Sequence, residues 1–160
     1  MVTDEPSFAL AVAKSSCSVR ATPLLNSTVY WLREYGAPPE LISFFEKHSY
    51  TSWLQIGEVT FNSSNEIELV NSEPNNHAPH KAGLLIVGSG LNGDPIALNL
   101  KTGNVGFLCH DELWEEESPV DVAAHFCELP QSVGTFYLAA ASSKRHPVDF
   151  YQASGSRGSP

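Results

Sequence analysis

Three glycines lie between two apolar segments in the middle of the chain, and their context restricts which fold the chain can adopt. Gly88, Gly90 and Gly93 follow the apolar run Leu84–Val87 with the G-x-G-x-x-G spacing of a dinucleotide-binding loop. In such a loop the glycines open a helix whose N-terminal N–H groups hold the pyrophosphate. Here the segment Ile96–Leu100 follows, with apolar residues at every second position, which is the period of a strand. The sequence therefore predicts a turn between two strands at these glycines.

A second turn and a third strand follow directly. The segment Lys101–Asn104 is typical of a turn, and Val105–Leu108 is a further short apolar run. The aspartate after the third glycine is either a ligand carboxylate or, as we prefer, an acceptor of backbone N–H bonds. A nucleotide or small-molecule site at the glycines is the less favoured alternative. The residues to which we assign a structural turn role are Gly90, Gly93, Asp94 and Gly103.

The length and composition indicate one globular domain. A chain of 160 residues, of which 42% are hydrophobic and 17% charged, buries enough apolar surface to fold without disulfides. We assign residues 1–160 to a single domain, with an irregular N-terminal extension at 1–25 and a flexible tail at 152–160.

Cysteine usage and the N-terminal sequence indicate a cytoplasmic protein. Cys17, Cys109 and Cys127 show no paired spacing and are typical of reduced thiols. No basic residues precede the short apolar run Phe8–Ala13, as a secretion signal would require. No segment reaches the roughly 20 apolar residues of a membrane span, so we expect no membrane contact.

Negative charge is concentrated in the central part of the chain. Between residues 48 and 143 there are twelve carboxylates, whereas the only lysines or arginines are Lys81 and Lys101, so this segment carries a charge of −10. A surface of this kind repels phosphate backbones and attracts cationic proteins. We therefore expect no direct contact with nucleic acid, and a basic protein as partner.

The most informative part of this acidic region contains an aromatic residue. Asp111–Asp121 carries six carboxylates and Trp114. The segment is either a solvated lead into the next helix or an interface in which the tryptophan is the anchor. The residues that we predict to bind a partner are Asp111, Glu112, Trp114, Glu115, Glu116 and Glu117.

The sequence gives less support to a metal site or a catalytic site than to a protein-binding surface. His77 and His80 lie in a segment without the tight Cys/His pairs of a structural zinc site. Ser89 lacks the strand-to-helix turn of a nucleophile elbow. Two further sequence neighbourhoods offer soft donors, namely Cys109-His110 and His125-x-Cys127. We expect no metal, no cofactor and no enzymatic activity.

Apolar periodicity predicts an α+β fold with a mainly antiparallel sheet. We expect strands at Trp53–Phe61, Leu84–Val87, Ile96–Leu100 and Val105–Leu108, with helices before and after them covering one face and the other face open to solvent. The remaining expectations are helical turns at 8–14, helices at 28–35 and from Pro39, a short strand or helical edge at 66–70, an exposed loop at 71–81, a helix at 118–129 and a last helix from Pro130.

The central motifs resemble those of the SUKH superfamily. The resemblance rests on the strand before Gly93-Asp94, the alternating strand Ile96–Leu100, the turn Thr102-Gly103, the segment Cys109–Glu112 and the alanine–phenylalanine pattern of Val122–Phe126. Upstream, Pro38–Lys47 resembles the first helix of these domains. The resemblance implies a Smi/Knr-like fold and a protein-binding function. The function implied first is that of an immunity protein that neutralises a bacterial toxin, often a nuclease, and the alternative is a regulatory scaffold.

Overall fold

Helices surround an antiparallel sheet in the computed structural model, which describes residues 1–16, 18, 20–115 and 120–155. The helices are α1 Glu5–Lys14, α2 Asn26–Glu34, α3 Pro39–Lys47, α4 Ile67–Asn71, α5 His77–Lys81, α6 His110–Glu115, α7 Val133–Ser142 and α8 Phe150–Gly155. The strands are β1 Leu54–Ile56, β2 Val59–Phe61, β3 Leu84–Ser89, β4 Pro95–Asn99, β5 Val105–Leu108 and β6 Phe126–Glu128. They pair antiparallel in chain order, from β1 at one edge to β6 at the other. The predicted α+β class with an antiparallel sheet is confirmed.

The segment predicted as one strand, Trp53–Phe61, is a hairpin. Ile56 pairs with Val59, so only Gly57 and Glu58 form the turn between β1 and β2. Gly57 has φ +61°, and a two-residue hairpin turn needs such a left-handed residue. The prediction was wrong because strand propensity alone does not show where a glycine reverses the chain.

Both faces of the central strands are buried, which corrects the prediction of one solvent-exposed face. One face belongs to the main core, where Phe8, Phe44, Phe61 and Tyr137 pack edge-on or tilted against one another. The other face forms a second apolar cluster under α5, α6 and the segment that precedes β6. Its buried members are Leu84, Ile86, Ala97, Leu108, Leu113 and Val122.

The predicted exposed loop at 71–81 supplies part of this second layer. It contains a 3₁₀ turn at Pro74–Asn76 followed by α5. The buried Asn71 side chain donates to Ile86 O and accepts from Ile86 N–H, at 2.9 and 2.8 Å. Asparagine is common in loops, but here its amide hydrogen-bonds the backbone of β3, which a composition argument does not reveal.

The predicted helix at 118–129 is also wrong. Val122–His125 is a 3₁₀ turn, and Phe126–Glu128 is β6, which pairs with β5. Ser118 and Pro119, its expected first residues, lie outside the described residues. The next helix begins at Val133 and not at Pro130, after Ser132 accepts a hydrogen bond from Thr135 N–H as N-cap.

Helix α1 lies in the segment predicted to be an irregular extension, and α8 reaches into the segment predicted to be a tail, while α2, α3 and α4 lie where helical structure was expected. Within the extension 1–25, α1 packs against α7 and buries Phe8 completely. Within the tail 152–160, residues 152–155 belong to α8, which buries Ala153, and 156–160 lie outside the described residues. Among the helices of the described ranges, none combines the length and apolar character that a membrane crossing demands.

Acid should destabilise the fold through His146. Its Nε2 atom is buried and finds no hydrogen-bond partner among the described residues, and burial lowers the pKa of His146 to about 4. The unfolded chain takes up this proton near pH 6.5, so the stability present above that pH is lost as the pH falls towards 4. We expect His146→Gln to reduce the loss of unfolding free energy between pH 7 and pH 4 by about 1–2 kcal/mol, measured by urea titration.

The exposed His77 provides the control for this measurement. His77→Gln should leave the acid-dependent loss as it is in the wild type. Equal pH profiles for His146→Gln and the wild type would contradict the assignment.

Candidate functional site

A fully buried carboxylate organises the region that follows the glycine-rich turn. Asp94 is 0% exposed and immediately precedes β4. Its Oδ1 atom accepts hydrogen bonds from the backbone N–H of His110 at 3.1 Å and from His110 Nδ1 at 2.7 Å. Its Oδ2 atom accepts from the backbone N–H of Phe150 at 2.9 Å. One side chain therefore connects the start of β4 to the first residues of α6 and α8.

Hydrogen bonding keeps this carboxylate ionised despite its burial. Burial by itself would raise the pKa of Asp94, but the hydrogen bonds from Phe150 N–H and from the ring and backbone of His110 outweigh it and lower the pKa. A carboxylate that accepts several N–H bonds is held in its charged form in this way. Asp94 therefore contributes stability at neutral pH that is lost as the pH falls through its lowered pKa.

His110 connects the buried Asp94 to exposed residues of α6. Its Nε2 atom lies 2.9 Å from Asp111 Oδ1, so the imidazole bridges the buried Asp94 and an exposed carboxylate. Its ring also contacts the Trp114 indole edge-on, with 5.1 Å between the ring centroids. Since His110 and Trp114 are four residues apart on α6, they share one helix face. The indole is thus held by a side chain that is itself fixed by Asp94.

The described residues of the predicted partner surface are exposed, and Tyr151, which was not predicted, lies beside them. The side chains of Asp111 and Glu112 are 62% and 56% exposed, Trp114 is 43% exposed, and Glu115 is also exposed. Glu116 and Glu117 lie outside the described residues. Tyr151 of α8, which is 52% exposed, joins this surface through a contact of its hydroxyl with Cys109 Sγ at 3.6 Å. We call the set Asp111, Glu112, Trp114, Glu115 and Tyr151 the acidic–aromatic patch.

The pKa of Tyr151 depends mainly on Cys109. The interaction with Cys109 raises the pKa of Tyr151 to about 12, and burial and the negative charges of Glu112 and Asp111 act in the same direction. The tyrosine therefore carries a neutral hydroxyl beside two carboxylates. Sequence reasoning missed Tyr151 because it lies 42 residues after Cys109, in a segment that was predicted to be a tail.

The glycines form a closed turn between two strands. Gly90 N–H donates to Asp94 O at 2.8 Å, and β4 begins at Pro95, so a strand and not a helix follows the third glycine. Gly93 and Gly103 have φ +93° and +80°, which favour glycine. Gly90 is required for another reason, because a Cβ atom there would collide with Val148 O. A strand after the glycines leaves no helix N-terminus for a pyrophosphate.

The other candidate ligand residues are not brought together. The His80 ring packs at a tilt against Tyr35 with 4.1 Å between the ring centroids, Ser89 hydrogen-bonds Thr60, and His125 contacts Glu112. Over residues 1–16, 18, 20–115 and 120–155, no three His, Cys, Asp or Glu side chains are placed to share a metal ion. Cys17 lies outside those residues. Cys109 is a free thiol and is buried, and Cys127 is also buried.

Comparisons of the chain with protein-family models, with curated proteins and with solved structures find no match. The residues of the chain itself therefore supply the evidence for a function.

Removing the Asp94 carboxylate should destabilise the protein strongly. Asp94→Ala leaves three donors of His110 and Phe150 without their acceptor in a buried place, and we expect a loss of about 3 kcal/mol or more in unfolding free energy. Urea denaturation followed by circular dichroism measures it.

A matched control is Asp121→Ala. Asp121 is exposed and accepts one bond, from Ala123 N–H at 3.1 Å. We expect the Asp121→Ala substitution to lower the free energy of unfolding by about 1 kcal/mol or less. Equal losses for the two variants would show that Asp94 is not the anchor.

Proposed function

We propose that the protein is a non-catalytic binding module that engages a basic protein through the acidic–aromatic patch. The observation that carries this proposal is an exposed tryptophan set among carboxylates on a helix whose first residue is fixed by buried Asp94. A binding surface gains affinity when its anchor is already ordered before the partner arrives. Aromatic anchors surrounded by charged rims are typical of protein interfaces.

Charge supports a cationic partner. The patch contributes Asp111, Glu112 and Glu115, and the whole chain carries a formal charge of −9. Such a field accelerates encounter with a positively charged protein and repels polyanions. Nuclease active sites are positive because they hold phosphate, so an acidic protein can occlude one by presenting similar charge. The partner that fits best is a toxin domain of this kind.

We further propose membership of the SUKH superfamily, with immunity against a toxin as the function and a cytoplasmic location. The antiparallel arrangement of β3, β4 and β5 around Gly93-Asp94 supports the family, and the free thiol of Cys109 supports the location. A regulatory scaffold of the Smi/Knr type is the alternative. A toxin gene adjacent to the gene of this protein would favour immunity over the scaffold.

The Asp94–His110 pair does not lead us to propose catalysis. A buried carboxylate that orients an imidazole is part of many hydrolytic sites. Here, however, His110 Nε2 lies against Asp111, and neither Asp94 nor His110 lines the cavities beside α6. A general base needs a cleft in which its free nitrogen reaches a substrate proton.

Neutralising the patch should slow association with the partner. The variant Asp111→Asn, Glu112→Gln, Glu115→Gln removes three charges without removing bulk, and we expect association about tenfold slower at low salt, with a weaker salt dependence. Stopped-flow association with the product of the adjacent gene, or with a protein identified by capture from the native host, provides the measurement.

The control for charge is Glu58→Gln, Glu66→Gln, Glu68→Gln. These three glutamates are also exposed and lie outside the patch. This variant changes net charge by the same amount and should associate at nearly the wild-type rate. Identical rates for both triple variants would mean that the patch is not the interface.

Trp114 should act on dissociation. Trp114→Ala should weaken binding by about 2 kcal/mol, a roughly thirtyfold increase in Kd that arises mainly from faster dissociation. Trp53→Ala is the matched control, since Trp53 is 57% exposed and lies directly before the edge strand β1. Dissociation rates of the two variants are measured by surface plasmon resonance. Equal effects of both substitutions would show that Trp114 is not an anchor.

A further inference from the structure

Both ring nitrogens of His110 lie against carboxylate oxygens. Nδ1 is 2.7 Å from Asp94 Oδ1, and Nε2 is 2.9 Å from Asp111 Oδ1. Both distances lie in the range of hydrogen bonds between nitrogen and oxygen. Asp94 is buried and Asp111 is exposed, so the imidazole lies between an interior carboxylate and a surface carboxylate of the acidic–aromatic patch.

The ionised Asp94 decides which nitrogen of a neutral His110 ring carries the hydrogen. An ionised carboxylate only accepts hydrogen bonds, so Nδ1 must be the donor in its bond to Asp94. A neutral imidazole has a single N–H group, and Nε2 of that ring is therefore a bare acceptor that faces the Asp111 oxygen. Two acceptors at this distance repel each other, whereas a protonated ring donates to both carboxylates. The position of Asp111 therefore fits the protonated ring and not the neutral one.

Carboxylates dominate the surroundings of this ring. Since His110 lies at the start of α6, a proton that it takes up changes the charge of the patch by one unit. His125 is a second imidazole at this surface, and its Nδ1 atom lies 3.1 Å from Glu112. Among the described residues, the other titratable groups on α6 and beside it are the carboxyls of Glu115, Asp121 and Asp149, the thiol of Cys109 and the phenol of Tyr151.

We infer that His110 is a pH-dependent switch of the acidic–aromatic patch, in which the protonated ring holds Asp111 in place and the neutral ring releases it. The change falls in the range in which histidine gains or loses its charge, about pH 5 to 8. The inference rests on the proposed function, because the patch attracts a basic partner through its carboxylates. It adds that this attraction grows as the pH rises, since deprotonation removes one positive charge and frees Asp111.

Ring nitrogen resonances test the protonation state directly. The full chain is labelled with ¹⁵N-histidine and followed by NMR from pH 8 to pH 5.5. We expect His110 to carry a hydrogen on Nδ1 alone at pH 8 and on both nitrogens at pH 5.5. A hydrogen on Nε2 alone at pH 8, or the same protonation of His110 at both pH values, would overturn the inference.

The rotamer of Asp111 tests whether the ring holds this side chain. Three-bond couplings about χ1 of Asp111 should report one rotamer at pH 5.5 and an average over rotamers at pH 8. In His110→Gln the couplings should be equal at both pH values, because an amide donates to Asp94 without titrating. The matched control is His125→Gln, which removes the neighbouring imidazole and should keep the pH dependence of the wild type. Couplings of the wild type that do not change with pH would contradict the switch.

A second variant keeps this test independent of the folding of His110→Gln. In Asp111→Asn the amide can donate to a bare Nε2 atom and its oxygen can accept from a protonated one. The side chain at position 111 should therefore keep one rotamer at both pH values. A rotamer change of the same size as in the wild type would contradict a role of Nε2.

Hexalysine, acetylated and amidated, is the binding probe, since none of its groups titrates between pH 5.5 and pH 8. It is titrated at low salt and followed at the Trp114 indole N–H resonance. We expect the gain in affinity from pH 5.5 to pH 8 to be about twofold larger for the wild type than for His110→Gln. Equal gains would overturn the regulatory role of His110.

Failure of the switch and failure of the proposed function give different results. If Asp111 keeps one rotamer at both pH values, the switch fails, and the proposed function stands as long as association with the partner depends on the patch triple variant. If that dependence is absent while Asp111 still changes its rotamer with the charge of His110, the proposed function fails and the switch stands.

Discussion

The buried carboxylate of Asp94 is the interaction on which the rest of this region depends. It accepts hydrogen bonds from His110, 16 residues away, and from Phe150, 56 residues away. Each bond satisfies a donor at the start of a short helix, where backbone N–H groups have no partner within the helix. A short helix gains little stability from its own length. The positions of α6 and α8 therefore follow from one ionised side chain at the start of β4.

The sheet is covered on both faces, but by layers of different construction. The main core uses large aromatic side chains and the longer helices α1, α3 and α7. The second layer uses the short helices α4, α5 and α6 and smaller side chains over Leu84, Ile86 and Ala97. Short elements cover a twisted sheet incompletely, because each ends after one or two turns.

The side chains that fix α6 and the carboxylates that carry its charge lie next to each other. The side chains that hold α6 are buried or half-buried, whereas the carboxylates and Trp114 at its surface are exposed. This separation lets Asp94 set the geometry while Asp111, Glu112 and Glu115 set the electrostatic field. In the function that we propose, the patch combines long-range attraction with an anchor that is already in place, and these act on association and dissociation respectively.

Local sequence was enough to predict the α+β class, the strands around the glycines, the helix from Pro39 and the acidic surroundings of Trp114, since each depends on residues close together in the chain. It did not determine that Gly57 turns Trp53–Phe61 into a hairpin, that residues 71–81 cover the sheet, or that Phe126–Glu128 is a strand. Propensity for these short segments is weak, and pairing with β5 or contact with Ile86 decides their structure. The contact of Tyr151 with Cys109, next to the histidine that packs on Trp114, likewise depends on residues far apart in the chain. The physical reason is that the donors to Asp94 lie far away in sequence, and only the folded chain brings them to one carboxylate.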